Sequence, residues 1–472
     1  MRIIKLSILS LAVAAIVGCT STSYEQDVAA SQQAFNSQVD GTAVLNTVAR
    51  SDEANWWQQL EDTHLNQLVV DVMSANQNLK ASAARLRAAM AGLSEAQRAR
   101  LPQGNINLAE QRGTTVLTNG MQGPINESLN SGGALTWDVD LSGRIAKLAD
   151  AATSAAEAQQ GQYQALAGEL VTTTIQSYLQ WQALKQTQTL TQAQLTALEE
   201  SIAIIEIRVK EGVATELELN RTKSQYFEHK QRLPHIATEL ARVEQTLAVL
   251  SNKSTDKLGL HALEQARYEA LAIAINVNSA SDALLQRGDV QSAIAKLKQQ
   301  SYLSQSAERA LYPDISFSAF AGVLNPTGVN FNDTQSSWQV APTLSWSLFS
   351  YPQLLAQIDR QAALSEASYY DYRQTLTHVL AQAEYSLRVL SQAKEQLNYA
   401  HEQVIAAESA YQQATAGYKE GQLGYLELLD ARQDVLIAQQ SQMAMRNMLL
   451  SSSVSVYGEL NGQWSKALVA SI

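Results

Sequence analysis

Two long stretches of the chain carry apolar residues at the spacing of one helix face. Each contains five apolar residues at alternating intervals of three and four positions: Leu195, Leu198, Ile202, Ile205 and Val209, then Leu376, Leu380, Ala383, Leu387 and Leu390. This spacing is typical of a coiled-coil seam. It predicts helices over about 143–210 and 353–419, each about 100 Å long at 1.5 Å per residue. That length suits a chain that crosses a compartment.

Alternation of apolar and polar residues predicts four β-strands, near 104–141 and 313–348. In 337–348 the apolar set is Trp338, Val340, Leu344, Trp346 and Leu348; weaker alternation marks 105–109, 135–141 and 315–318. Strands of about ten residues with tryptophan on the apolar face are typical of membrane barrels, although a soluble sandwich would alternate in the same way. Four strands cannot close a barrel, and open strand edges cannot face lipid. A membrane barrel would therefore be shared by several chains. Pro342 indicates a bulge or an edge.

The chain contains an internal repeat. A shift of 209 residues superposes several uncommon residues: Trp137 on Trp346, Tyr163 on Tyr372, and Gly212 on Gly421. Such matches predict two structural repeats, over 61–251 and 282–458. Each begins with a helix that ends before a proline (65–101 before Pro102, 290–312 before Pro313), continues with two strands, and ends with a helical hairpin (143–251 and 353–458).

The first nineteen residues have the pattern of a processed leader. Arg2 and Lys5 precede an apolar run over 6–17, and Cys19 follows Gly18. This resembles a bacterial lipobox, in which the cysteine is acylated and becomes the new N-terminus. An ordinary secretory peptide with an incidental cysteine is the alternative. Because Thr20, rather than aspartate, follows the cysteine, the resemblance implies an anchor in the outer membrane.

Composition excludes several classes of function. A net charge of −11 argues against nucleic-acid binding, which requires a basic surface. The single cysteine excludes an intrachain disulfide and any zinc site built from several cysteines. The six histidines are scattered, and the sequence has no metalloprotease, nucleotide-binding or serine-nucleophile motif. We therefore expect no enzymatic activity, no metal and no cofactor other than a lipid on Cys19. After the leader, no apolar run reaches the roughly 18 residues of a membrane-spanning helix.

Three motifs give the chain a specific resemblance. They are Trp56-Trp57 followed by Leu60, Asp62, Leu65 and Leu68-Val69; Leu141-Ser142-Gly143-Arg144; and Asp282-Ala283-Leu284-Leu285-Gln286-Arg287-Gly288-Asp289. The order of elements and these motifs resemble the TolC-type outer-membrane factors, in particular the lipoprotein branch that serves multidrug efflux. Gly288 stands where the family usually has proline.

The resemblance implies a mainly α-helical protein with a β-barrel portion. In a homotrimer, four strands from each chain would form a twelve-stranded membrane barrel, and the duplicated helical hairpins would form an α-barrel through the periplasm. The tunnel would conduct passively, and a periplasmic adaptor and an inner-membrane pump, of the RND type, would supply energy and cargo. The corresponding segments are a signal peptide (1–18), a lipidated segment with part of an equatorial region (19–60), the first repeat (61–251), an equatorial linker (252–281), the second repeat (282–458) and a tail (459–472).

The resemblance also places a gate and docking points at the hairpin tips. By position in the family, Tyr418 would be the tyrosine of a polar latch, and Glu427 and Asp430 would form acidic rings around the periplasmic opening. Leu423 falls where one branch has a latching arginine, so that link is absent. Arg221, the first-repeat counterpart of Asp430, is a candidate partner across the bundle. The expected adaptor-docking tips are Glu211, Gly212 and Val213, and Glu420, Gly421, Gln422, Leu423 and Gly424.

Each of these assignments has an alternative. Glu427 and Asp430 could be ordinary exposed helix residues, and the tips could be turns alone. The duct could serve type I protein secretion instead of small-molecule efflux. The chain could also be a structural periplasmic coiled-coil lipoprotein without a pore, although that interpretation leaves the four alternating strands unexplained.

Overall fold

The computed structural model describes residues 24–41, 56–116, 122–260, 280–326 and 335–460. The predicted signal peptide 1–18 and Cys19 lie outside the described residues, as do most of the linker 252–281 and of the tail 459–472. The chain divides into two units. The first comprises Met1–Gln33, Arg85–Gln160 and Gln291–Gln374, and the second comprises Ala34–Ala84, Gly161–Val290 and Thr375–Ile472. Each unit combines segments of both sequence repeats.

The two long helices are present close to their predicted bounds. Helix α4 spans Arg144–Lys210, and helix α8 spans Tyr351–Lys419. Each is followed by a returning helix, α5 (Glu216–Ser251) after the first and α9 (Tyr425–Leu460) after the second. The repeat therefore reappears in the structure as two helical hairpins. None of the described helices combines the length and the apolar character that are needed to cross a membrane.

The shorter helices correct one prediction. Helix α1 spans Tyr24–Gly41, α2 spans Thr63–Ala75, α3 spans Gln77–Arg98, α6 spans Ala280–Leu285 and α7 spans Gly288–Arg309. The single helix predicted over 65–101 is thus two helices, divided at Asn76. The backbone of Asn76 is extended, with ψ at 126°. Its side chain accepts from the amide of Leu79 at 3.1 Å and donates to the carbonyl of Leu250 at 2.9 Å. An asparagine that caps the following turn competes with helix continuation.

The four strands form one antiparallel sheet in the first unit. Strands β1 (Gln103–Val116), β2 (Gln122–Val139), β3 (Asp314–Asn325) and β4 (Gln335–Ser345) lie in the order β1-β2-β3-β4. The pairing of β2 with β3 joins the two repeats. Among the described residues, β1 and β4 each have one neighbouring strand, so the sheet has two open edges.

Two predicted strands extend too far toward the helices. The strand predicted through Leu141 ends at Val139, because the carboxylate of Asp140 accepts from the amides of Ile145 and Ala146 and thereby caps α4. The strand predicted through 348 ends at Ser345. Trp346 therefore follows β4, and a 3-10 turn over Leu348–Ser350 leads directly into α8.

The register places apolar and polar residues on opposite faces of the sheet. Trp137 lies opposite Phe317, and their rings stack with centroids 6.2 Å apart. On the same face, Ile106, Trp338 and Leu344 are 91%, 79% and 65% exposed in the single chain. The other face is mainly polar and carries Asn107, Thr136, Ser318 and Gln339. This arrangement confirms the predicted alternation.

Pro342 lies in β4 opposite Phe317, in uninterrupted register. There is no bulge at this point. Because β4 is an edge strand of the single chain, it can accommodate a residue without an amide hydrogen. The bulge explanation is therefore excluded, and the edge explanation holds for the single chain.

The second unit contains a hydrophobic core around the first motif. Trp56 stacks on Tyr457 with centroids 4.5 Å apart, and both side chains are buried. Asp62 caps α2 by accepting from the amides of His64 and Leu65, and its other oxygen accepts from the hydroxyl of Tyr178 at 2.8 Å. The tryptophans and the aspartate of this motif thus have a structural role, since they fix the start of α2 against α4 and α9.

Candidate functional site

The two hairpin tips are built by the same turn. In the second tip, Gly421 has φ of +70°, and the amides of Gln422 and Leu423 both donate to the carbonyl of Gly417, at 2.8 and 3.2 Å. In the first tip, Gly212 has φ of +74°, and the amides of Val213 and Ala214 donate to Arg208. This is the bonding of a helix end closed by a left-handed residue, which glycine adopts without strain.

All the predicted docking residues are exposed at these tips: Glu211, Gly212, Val213, Glu420, Gly421, Gln422, Leu423 and Gly424. Val213 is 62% exposed. The amide nitrogen of the Gln422 side chain donates to the Glu420 carboxylate at 2.9 Å, so part of the second tip is ordered by its own polar groups. The side chain of Leu423 lies over Gly417, where an added Cβ would approach it to 3.0 Å. Both tips are therefore accessible in the single chain.

The structure brings the two predicted gate carboxylates to one side of α9. Glu427 is the third residue of the helix and Asp430 follows one turn later, so both project from neighbouring positions of the same face. Both are exposed, and no ion pair within the described residues includes either of them. A Cβ on Gly424 would lie 2.6 Å from a carboxylate oxygen of Glu427, so glycine at this cap position leaves room for the carboxylate to fold back.

Tyr418 is half-buried and makes its contacts with its ring. The guanidinium carbon of Arg208 lies 5.4 Å from the ring centroid of Tyr418, within the range of a cation–π interaction. The ring of Tyr425 meets the same tyrosine edge-on at 5.8 Å. The hydroxyl oxygen of Tyr418 is buried and has no hydrogen-bond partner among the residues that the structure describes. The polar latch predicted for this hydroxyl is therefore absent within the described part of one chain.

Within the described residues of the single chain, Arg221 and Asp430 form no ion pair. Arg221 is exposed, and the described residues offer it no ion pair. Instead, other polar side chains connect the two hairpins: Arg432 donates to the Ser201 hydroxyl at 3.0 Å, Arg232 donates to the Gln440 side chain at 3.1 Å, and Gln225 donates to the Gln433 side chain. These contacts were not predicted from the sequence, because only pairs of opposite charge were considered and each acceptor here is a neutral side chain. Arg208, which contacts Tyr418, lies beside Val209 at the end of the first predicted seam, whereas Arg432 lies outside both seams.

The third motif forms a second polar cluster in the same unit. Arg287 donates to both carboxylate oxygens of Asp289, at 3.1 and 2.9 Å, and to the backbone oxygen of Glu459 at 2.9 Å. An added Cβ on Gly288 would lie 2.5 Å from the Gly161 oxygen. Glycine therefore replaces the family's usual proline at a point where the chain lies against the backbone of α4. This cluster has a structural role and no exposed reactive group.

Comparisons of the sequence and of the structure with known proteins agree on one family. The family model described as "Outer membrane efflux protein" matches residues 68–253 and 280–462. The chain is 24% identical over 424 residues to the pyoverdine export outer membrane protein OpmQ of Pseudomonas aeruginosa, with 88% of each chain covered. It resembles the outer-membrane channel OprN with 25% identity and a TM-score of 0.83, over 89% of this chain and 97% of that chain. The Campylobacter jejuni CmeC outer membrane channel has the same fold, with 19% identity and a TM-score of 0.79, over 89% and 92% of the two chains.

Proposed function

Because the chain belongs to the outer membrane efflux protein family, whose members are outer-membrane channels of tripartite pumps, we propose that three copies form one passive exit duct. The sheet supports this assembly. Its apolar face is exposed in the single chain, and its edge strands β1 and β4 each lack a neighbour on one side among the described residues. Pairing β4 of one chain with β1 of the next would satisfy both edges and close twelve strands into a barrel.

We propose that acylation of Cys19 anchors each chain in the outer membrane. The support is the lipobox-like sequence before Cys19 and its position only five residues before α1 begins at Tyr24. A single acyl chain holds a protein only marginally, so stable anchoring needs more than one chain or a second membrane contact. The sheet would supply that second contact.

The hairpin tips are the proposed docking points for a periplasmic adaptor, and an inner-membrane pump of the RND type would complete the system. The support is the exposure of the two glycine turns, whose apolar and acidic side chains are free to meet another protein. The cargo is proposed to be small molecules, since OpmQ is named for export of pyoverdine. No catalytic step is required of this chain, because the pump supplies the energy.

We further propose that Glu427 and Asp430 gate and filter the duct. Threefold symmetry would bring three copies of each carboxylate around one opening. Carboxylates at short range repel one another. Together they attract cations from solution, as acidic rings do in pores. Their exposure on one face of α9, without ion pairs among the described residues, leaves them available for this role.

Single-channel recording in planar bilayers tests both the proposed duct and the proposed acidic gate. The purified, detergent-solubilised protein should form channels, and the double variant Glu427→Gln/Asp430→Asn should conduct several-fold better or lose block by added Mg²⁺. Glu402→Gln, an exposed carboxylate of α8 remote from the tips, is the matched control and should behave as wild type. If the wild-type protein forms no channels, the duct proposal fails. If channels form but the double variant matches wild type in conductance and block, the gate proposal fails alone.

A further inference from the structure

One contact ties the ends of the two long helices together. Arg208 lies two residues before the end of α4, and Tyr418 lies one residue before the end of α8. The guanidinium of Arg208 faces the tyrosine ring at 5.4 Å. Both side chains are half-buried. The two hairpins are thus joined at the tips, just before their glycine turns.

The chemistry of this contact identifies the ring as the participating group. A guanidinium remains protonated at every physiological pH and is attracted to the electron-rich face of an aromatic ring. The hydroxyl oxygen of Tyr418 is buried without a partner in the described part of the chain, so it contributes no hydrogen bond there. Tyr425 covers the ring edge-on and restricts its orientation.

The contact occurs once in each chain, because the repeat does not duplicate it. The counterpart of Arg208 under the 209-residue shift is Gly417, and the counterpart of Tyr418 is Val209. A second link between the hairpins has the same asymmetry. Arg432 donates to Ser201, whereas its counterpart Lys223 pairs with Glu206 within the first hairpin, at 2.8 Å. Two arginines thus hold the second hairpin against the end of the first.

We propose that Arg208 is a positioning residue of the gate: its guanidinium holds the Tyr418 ring, and the periplasmic end of the duct opens when this contact breaks. The inference rests on the proposed duct function. It differs from the polar latch that the family resemblance implied, since the ring carries the link and the hydroxyl does not. It also assigns a partner to Tyr418 although the latching arginine is replaced by Leu423.

Single-channel conductance of the full-length protein distinguishes a link through the ring of Tyr418 from a polar latch through its hydroxyl. Arg208→Ala and Tyr418→Ala should each raise mean conductance several-fold, and the double variant should exceed neither, because both changes remove one contact. Tyr418→Phe keeps the ring and should conduct as wild type. Arg208→Lys keeps the charge but not the planar group and should fall between wild type and Arg208→Ala.

Lys210→Ala is the matched control, since it removes an exposed cation two residues after Arg208 in the same helix, and it should conduct as wild type. The proposal is overturned if Tyr418→Phe opens the channel as far as Tyr418→Ala, or if Arg208→Ala conducts like Lys210→Ala. If Glu427→Gln/Asp430→Asn opens the duct while Arg208→Ala does not, the duct and its acidic gate stand and the cation–π link falls. If no variant forms channels and wild type forms none, the proposed function and this inference fail together.

Discussion

The indole nitrogen of Trp346 donates a hydrogen bond of 3.0 Å to the backbone oxygen of Leu311. In the first repeat, Trp137 donates in the same way to Arg100 at 3.1 Å. Leu311 and Arg100 each stand two residues before the proline that precedes the strands. Each tryptophan therefore makes the same contact in its own repeat. Trp137, near the end of β2, and Trp346, just after β4, each bind the backbone shortly after the helix that precedes the strands.

Replacing Trp346 by phenylalanine should weaken this junction without removing the ring. A hydrogen bond to an exposed carbonyl contributes about 0.5–1 kcal/mol, so Trp346→Phe should lower the midpoint of thermal unfolding by a small amount, and Trp137→Phe by a similar one. Circular dichroism of the detergent-solubilised protein measures the midpoint. Trp338→Phe, an exposed tryptophan of the same sheet face, is the control and should have a smaller effect. Equal midpoints for all three variants would show that the indole hydrogen bonds do not matter.

A pair of glycines allows β2 and β3 to approach closely. Gly132 lies opposite Gly322, and an added Cβ on Gly132 would lie 2.6 Å from the Ala321 oxygen and 2.7 Å from the ring of Phe320. The ring thus covers the space that a side chain would occupy. Gly132→Ala should destabilise the sheet by about 1–3 kcal/mol, the usual range for overpacking.

Gly133→Ala is a matched control for this change. Gly133 is the next residue of the same strand, and an added Cβ there has no atom within 4 Å. The yield of folded protein after refolding and its thermal midpoint should fall for Gly132→Ala and remain near wild type for Gly133→Ala. Comparable losses in both variants would mean that glycine flexibility, and not the close approach, is what the position requires.

The long elements were predictable because their signals are periodic and extended. The seam that includes Leu198 and Ile205 fixes a helix over many turns, and the alternation around Trp137 fixes which sheet face is apolar. Their ends were less predictable, since a single polar side chain decides them. Asp140 ends β2 by capping α4, and Asn76 divides a helix whose periodicity continues on both sides.

The candidate site was predictable in location but not in its contacts. The repeat and the family resemblance led to Tyr418, but neither indicated Arg208, which lies 210 residues away in the chain. Contacts between the hairpins depend on how α4, α8 and α9 pack, and a sequence period reports only which face of a helix is apolar. Arg221 was singled out as the repeat counterpart of Asp430; the two form no ion pair within the described residues of one chain, and a pairing across the bundle stays a prediction.

The last prediction concerns His229, which is buried in α5 at 5% exposure. Burial lowers the pKa of His229 below its ordinary value of 6.5; the charge of Arg232 also lowers it, and Glu228 partly opposes the shift. Well above pH 6.5 the histidine is neutral in both the folded and the unfolded chain, so it adds no pH dependence there. Below pH 6.5 the unfolded chain binds the proton first, so the free energy of unfolding should fall by at most about 1.4 kcal/mol per pH unit.

Thermal midpoints of wild type and His229→Leu at pH 8.0, 6.5 and 5.5 measure this pH dependence. The control is His235→Gln, which removes one exposed histidine from the same helix. The wild-type midpoint should decline more steeply with acid than that of His229→Leu, and identical declines would show that the buried ring does not titrate in this range.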